Sequence, residues 1–142
     1  MEEIKRVLDY EQLLERALRQ VPKHVTKHER FEIPRARVVI IGTRTIIQNF
    51  KEICDILRRE PRHLARFLLR ELATAGDIEG DMLALQGKFS RSAINRLIKI
   101  YTESYVICPV CGSPDTRLVK EKRLMFLVCE ACGARSSVRP LR

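Results

Sequence analysis

Apolar residues recur along the chain in different rhythms, and each rhythm predicts a different element. Near the amino terminus Tyr10, Leu13, Leu14, Ala17, Leu18 and Val21 fall on one side of a helical wheel, with Glu11, Glu15, Arg16 and Arg19 outside that arc. Asp9 and Gln12, three apart, make a capping box at the start of this helix, and Pro22 stops it. The apolar stripe must be buried somewhere, either on the chain's own core or on another protein. Residues 22–33 carry almost no apolar pattern; Lys23, His24, Lys27, His28, Glu29 and Arg30 make them read as a polar tether. A helix held off by a tether favours a groove on a partner. His24 and His28 are four apart but have no carboxylate or cysteine at matching spacing, so they read as solvated linker residues.

Residues 34–104 have the apolar content of a compact domain. The β-branched runs at 37–41 and 45–48, on either side of Gly42, predict a pair of strands. Phe50, Ile53, Cys54 and Leu57 then recur with helical period over 50–58. Glu60-Pro61 marks a break, with Pro61 suited to the first turn of a new helix whose core face is Leu64, Phe67, Leu68 and Leu72 and whose end is marked by Ala75-Gly76-Asp77. A second strand pair is predicted at 77–79 and 82–86 around Gly80-Asp81, and Ser90 or Ser92 caps a last helix presenting Ile94, Leu97, Ile98, Tyr101 and Tyr105. The order β-β-α-α-β-β-α predicts an α+β middle domain with a small sheet covered by helices. Short runs at 116–121 and 124–128, and a third at 136–139, predict a separate strand module over 105–142. The expected organisation is therefore a docking helix at 1–21, a flexible linker at 22–33, a middle domain at 34–104 and a terminal module at 105–142.

Cysteine spacing changes the picture of that last module. Cys108-Pro-Val-Cys111-Gly and Cys129-Glu-Ala-Cys132-Gly are separated by 17 residues, the C-x2-C, spacer, C-x2-C pattern of a tetrahedral thiolate zinc site. Two intervening residues let one tight turn aim both sulfurs at a common point, and Gly112 and Gly133 permit a left-handed backbone as each turn closes. The competing readings are an iron-sulfur cluster, a redox dithiol pair and two disulfides. No thioredoxin-like strand and helix pattern surrounds either pair, and disulfides fit poorly with a chain whose Met1 is followed directly by Glu2 and Glu3 rather than by a signal sequence. Structural Zn2+ in a zinc ribbon is the preferred reading; four thiolates fill the tetrahedron and leave no open position for catalysis. Cys54, among Phe50, Ile53 and Leu57, reads as a small buried hydrophobe.

Among 142 residues, 27 are Lys or Arg and 18 Asp or Glu, a formal charge of +9. Four thiolates on one dication add a net −2 and reduce this to +7. The excess lies in 36–104, with 12 basic against 8 acidic residues, and in 105–142, with 7 against 3. A basic balance of this size points to a polyanion such as RNA, or else to an ordinarily solvated surface. Arg58, Arg62, Arg66 and Arg70 recur every fourth residue; if Pro61 breaks the helix, only Arg62, Arg66 and Arg70 stay aligned. Lys120, Lys122 and Arg123 gather at the ribbon hairpin, with Phe126 either joining them as a stacking platform or serving as ribbon core, the latter slightly favoured. No apolar run approaches the roughly 18–20 residues that span a bilayer, so the cytoplasm and no membrane are expected.

No phosphate loop, dinucleotide fingerprint or nucleophile elbow occurs, and no histidine lies beside a credible nucleophile. Nothing argues for an enzyme, and a nucleotide such as GTP would have to be held by another chain.

The run from Arg44-Thr45-Ile46-Ile47-Gln48-Asn49-Phe50 to Ile53, then Arg58-Arg59-Glu60-Pro61, then Phe67-Leu68-Leu69-Arg70-Glu71-Leu72-Ala73-Thr74-Ala75-Gly76, then Tyr105-Val106-Ile107-Cys108-Pro109-Val110-Cys111, resembles the beta subunit of translation initiation factor two in its short archaeal form. Thr43 stands where an Asn is more usual before the Arg-Thr pair. The resemblance covers essentially the whole chain. It implies a non-enzymatic member of an alpha, beta, gamma heterotrimer whose gamma subunit binds GTP and which delivers methionyl initiator tRNA to the small ribosomal subunit. It also implies that Tyr10, Leu13, Leu14, Ala17 and Leu18 dock on gamma, and that the middle and zinc domains are mobile arms toward tRNA, mRNA, ribosomal RNA or gamma. The amino-terminal part of eukaryotic initiation factor five shares the middle domain and ribbon, but the docking helix and the stop soon after the ribbon favour the beta subunit. A zinc-ribbon nucleic-acid-binding factor of transcription or RNA processing is the alternative from a different class.

Overall fold

The computed structural model describes residues 9–20 and 31–141. Val21, the tether through residue 30 and with it His24 and His28 lie outside the described residues. The chain divides into two units, Met1–Phe31 and Glu32–Arg142.

In the first unit helix α1 spans Tyr10–Gln20, and the Asp9 carboxylate caps it by accepting from the Glu11 backbone N–H at 3.3 Å, while no Gln12 bond that would complete the expected capping box occurs among the described residues. Glu15 and Arg19 pair along its polar side at 3.6 Å. No residue of α1 is buried.

The second unit is α+β, as expected. Strands β1 (Val38–Ile41), β2 (Arg44–Ile47), β3 (Gly76–Glu79) and β4 (Met82–Gln86) form one antiparallel sheet in the order β1-β2-β4-β3. The two expected hairpins are thus joined by a pairing of β2 with β4, Thr45 opposite Leu85 and Ile47 opposite Leu83. These four side chains are fully buried and define the face that the helices cover. Helices α2 (Phe50–Leu57), α3 (Pro61–Glu71) and α4 (Arg91–Tyr105) contribute Phe50, Ile53, Leu57, Leu64, Leu68, Ile94, Ile98 and Tyr101 to the same core. The buried Thr45 hydroxyl donates to the Gly87 carbonyl at 2.7 Å and accepts from the Phe89 N–H at 3.0 Å, so its polarity is satisfied. Asn49 and Asn95 accept from the backbone N–H groups of Arg37 and Ala36, both at 2.8 Å, and fasten the segment that leads into β1.

Pro61 breaks the helical run rather than bending it. Arg58 closes α2 in the left-handed region at φ 52°, and Pro61 opens α3. Ser90, not Ser92, caps α4 through the Ala93 N–H. The end of α3 departs from the expectation. It stops at Glu71, and Ala73 takes the left-handed position at φ 49° while the Thr74 N–H bonds to the Leu69 carbonyl. Gly76 does not end the helix; it starts β3, because a side chain there would collide with the Ala84 carbonyl and approach Leu69 to 2.9 Å. Gly76→Ala is expected to destabilise by about 2–4 kcal/mol, as overpacking against rigid backbone does; chemical denaturation checks it, and a loss below about 0.5 kcal/mol would contradict the close approach.

Strands β5 (Thr116–Glu121), β6 (Leu124–Cys129) and β7 (Arg135–Val138) form the second, three-stranded antiparallel sheet in the order β5-β6-β7.

Candidate metal centre and basic groove

The two Cys-x2-Cys turns are built alike. In the first, Gly112 N–H bonds to the Cys108 carbonyl at 2.9 Å; in the second, Gly133 N–H bonds to the Cys129 carbonyl at 3.1 Å. Gly112 and Gly133 sit at φ 71° and 73°, the left-handed backbone each turn requires. The Val110 and Cys132 N–H groups point at the Cys108 and Cys129 sulfurs, both at 3.4 Å. Such N–H···S bonds favour thiolate and orient the ligand.

All four sulfurs lie within 4.8 Å of one another. Cys108 to Cys132 is 3.7 Å and Cys111 to Cys129 is 3.5 Å. A tetrahedron with metal-sulfur bonds of about 2.3 Å has edges of about 3.8 Å, so the donor set fits a four-thiolate metal, and it is far too open for disulfides. Electrostatics point the same way. Burial opposes ionisation of Cys108, yet the Cys111 and Val110 N–H groups and the neighbouring thiols bring it down to about 7. At Cys111 the Ser113 N–H favours thiolate, but burial and the adjoining sulfurs prevail and push it up to about 12. The thiolate is thus favoured at Cys108 and opposed at Cys111 by the same crowding of sulfurs, a conflict that a central cation removes. Cys54 stands apart: buried in the helical core, its thiol is pushed up to about 12 by desolvation and then by Asp55, as suits an inert hydrophobe.

The ribbon is seated on the middle domain by a residue that periodicity did not single out. Arg59, only 7% exposed, donates to the Tyr105 carbonyl at 2.8 and 3.1 Å, to the Thr116 carbonyl at 2.8 Å and to the Thr116 hydroxyl at 2.6 Å. Its guanidinium therefore joins the last turn of α4, where a cation suits the helix dipole, to the start of β5. Burial lowers its affinity for the proton, and five donors in a fixed fork offset that cost. Tyr105 donates from its hydroxyl to the Arg139 carbonyl at 2.9 Å, and Arg58 pairs with Asp115 at 3.6 Å. Arg59→Met is expected to lower the stability of the zinc-loaded chain by about 2–4 kcal/mol, because buried carbonyls lose their donors. Arg59→Lys should restore little of it, since an ammonium cannot reproduce the fork. Denaturant midpoints of the three proteins check this; a fully rescuing lysine would show that charge alone matters.

With the ribbon so placed, Arg62 and Arg66 of α3 and Lys120, Lys122 and Arg123 of the β5–β6 hairpin line one groove of about 700 Å3. Glu60 and His63 sit on its wall, and Leu124 and Met125 give it apolar surface. Arg70, one turn further along α3, does not line it. Nor does Phe126, which is half-buried under the Arg135 guanidinium at 4.1 Å from the ring centre. The basic and aromatic residues of the hairpin thus do not share the groove. His63 shares a 2.7 Å hydrogen bond with the buried Tyr101 hydroxyl, and its Nε2 is buried without a hydrogen-bond partner. Burial, then Arg59, lowers its proton affinity and favours the neutral ring. Glu60 and Arg59 stood in the string before Pro61, but nothing in their spacing announced which would be buried and which would face the groove.

On α1 the described part of the sequence stripe is exposed: Tyr10 is 74% exposed, Leu13 45%, Leu14 44% and Leu18 65%, with Ala17 exposed between them. No helix among the described residues is long and apolar enough to cross a membrane.

Residues 22–135 match the family of the domain found in initiation factors 2B and 5. The chain is 49% identical over 131 residues to the "Translation initiation factor 2 subunit beta" of Methanococcus aeolicus, covering 92% of this chain and 94% of the relative. It is 50% identical over 133 residues to the protein of that name in Methanococcus maripaludis, covering 94% and 96%. The protein of the same name in Methanopyrus kandleri is 48% identical over 134 residues, covering 94% and 97%. By these matches, which take in the helix pair around Pro61 and most of the four-cysteine ribbon, the chain belongs to the family of translation initiation factor 2 beta subunits.

Proposed function

We propose that this chain is the non-catalytic subunit of an alpha, beta, gamma initiation factor that, with GTP on gamma, delivers methionyl initiator tRNA to the small ribosomal subunit. In this reading α1, within residues 1–21, docks on gamma by Tyr10, Leu13, Leu14, Ala17 and Leu18, and through gamma the chain is joined to alpha. Residues 22–33 tether the middle domain, 34–104, and the ribbon, 105–142, which present basic surface to the initiator tRNA, ribosomal RNA or mRNA. Cys108, Cys111, Cys129 and Cys132 hold one structural Zn2+, which keeps the ribbon folded and takes no part in chemistry.

The observation that carries the reading is the uncovered apolar stripe of α1, four large side chains between 44% and 74% exposed on a helix with no buried residue. A helix this short is marginal alone in water and gains its stability by laying that face on a partner. The test is to mix the purified chain with the GTPase subunit and measure association by calorimetry, with and without residues 1–21. Nanomolar to micromolar binding that disappears with the helix supports the reading. Equal binding by both forms, or none by either, would sink it and leave an independent zinc-ribbon nucleic-acid factor in front.

A further inference from the structure

We propose that Arg62 and Arg66 of α3 and Lys120, Lys122 and Arg123 of the β5–β6 hairpin form one composite phosphate-binding groove for single-stranded RNA, assembled by the seating of the ribbon on Arg59. This rests on the reading above that the chain contacts RNA, and it assigns that contact to a single site with walls from two modules.

Three observations carry it. The five cations come from parts of the chain more than 50 residues apart, yet they line one concavity of about 700 Å3. All five are exposed, and none is in an ion pair among the described residues, although nearby Arg58 and Arg135 are paired with Asp115 and Glu121. Five cations against Glu60 leave a local charge of +4 in a recess, where low-dielectric walls concentrate the field. Finally, Leu124, 59% exposed, and Met125 provide apolar surface beside the cations. Cations that follow a backbone, with sequence-indifferent apolar surface for the bases, are what single-stranded nucleic acid requires.

Neither wall suffices. α3 offers two arginines one turn apart, and the hairpin offers three cations at a tip; only their apposition makes a groove. Two separate patches would bind two RNA molecules independently, whereas one composite groove binds one.

The experiment uses the zinc-loaded full chain and a short fluorescein-labelled single-stranded oligoribonucleotide, with anisotropy titrations across a chloride series. One RNA per chain is expected, with log Kd against log salt rising with a slope of about 3, as neutralising about four phosphates predicts. Arg62→Gln with Arg66→Gln, and separately Lys120→Gln with Lys122→Gln, should each weaken that same site tenfold or more and each lower the slope by about 1.4. Arg96→Gln, an exposed arginine outside the groove, should change binding less than about twofold. Arg59→Met retains all five cations, and where it remains folded and zinc-loaded it should weaken binding as much as either pair does.

Two RNA molecules per parent chain, with each pair variant losing one of them, would overturn the composite site. So would pair variants that bind as the parent does; RNA binding would then lie elsewhere on the chain, and the RNA-contact reading would stand. A parent chain that binds no RNA would remove both, leaving the docking role of α1 untouched. Displacement of the RNA by polyglutamate as effective as by unlabelled RNA at equal charge would also overturn it, since the groove would then be a general polyanion surface.

Discussion

Cys129→Ser is expected to lose zinc and unfold the residues after about 105, leaving the middle domain folded. The magnitudes decide this. Between residues 107 and 141 the buried side chains are few: Cys108, Ser113, Thr116, Leu127 and Cys129. Only Leu127 is a large apolar group, and its burial contributes about 1.5–3 kcal/mol. Structural zinc contributes about 10–16 kcal/mol in small four-ligand modules, so with zinc on the proposed four-thiolate site the ion, rather than the strands, is expected to hold the ribbon. The middle domain has its own core of Phe50, Ile53, Leu64, Leu68, Leu83, Leu85, Ile98 and Tyr101. It should survive at reduced stability, because Arg59 loses its acceptors on Thr116 while keeping the Tyr105 carbonyl. Native mass spectrometry would show zinc-to-protein falling from one to zero. Amide spectra would show collapse of the resonances after residue 105 with dispersion retained before it. Global unfolding would show instead that the two modules form one cooperative unit through Arg59 and Tyr105. A zinc-loaded, folded variant would exclude Cys129 as a ligand.

Leu14→Glu is expected to abolish association with the GTPase subunit and leave the fold unchanged. Leu14 lies mid-stripe, flanked by Tyr10, Leu13, Ala17 and Leu18, and is itself exposed. Docking would carry an unpaired carboxylate into an apolar groove, at a cost of about 3–5 kcal/mol, a loss of roughly 150-fold to several thousandfold in affinity. Arg16→Ala, on the polar side, should change binding by less than about 1 kcal/mol, as exposed charges at an interface rim do. Calorimetry with the GTPase subunit reads both, and an unchanged far-ultraviolet spectrum excludes a folding defect. Undiminished binding of Leu14→Glu would place the docking face elsewhere on the chain.

Most of the elements were legible because they depend on neighbours in sequence. Strand pairs around Gly42 and around Gly80-Asp81, a helix opened by Pro61 and another capped by Ser90 are all contacts within a few residues, and spacing reports them. The end of α3 was misplaced because a glycine is the usual left-handed terminator. Here Ala73 takes that conformation, and the glycine is needed four residues after Leu72 for close approach to Ala84.

The gathering of Cys108, Cys111, Cys129 and Cys132 at one point was readable from sequence alone, since two residues between thiols and a following glycine specify a local turn that aims both sulfurs the same way. The stripe of α1 was readable for the same reason, through the helical period. Other features waited on contacts between residues far apart. Pairing of β2 with β4 makes one sheet of two hairpins across some forty positions. Arg59 reaches Thr116 across 57 positions, and only that contact turns one arginine of a basic run into a buried clamp. It also decides that Arg62 and Arg66 face Lys120, Lys122 and Arg123, while Arg70 lies beyond the groove and Phe126 turns under Arg135. Periodicity specifies which side chains share a face; it carries no information about which faces meet, because that choice is made by the burial of distant surfaces and the satisfaction of the polar groups trapped between them.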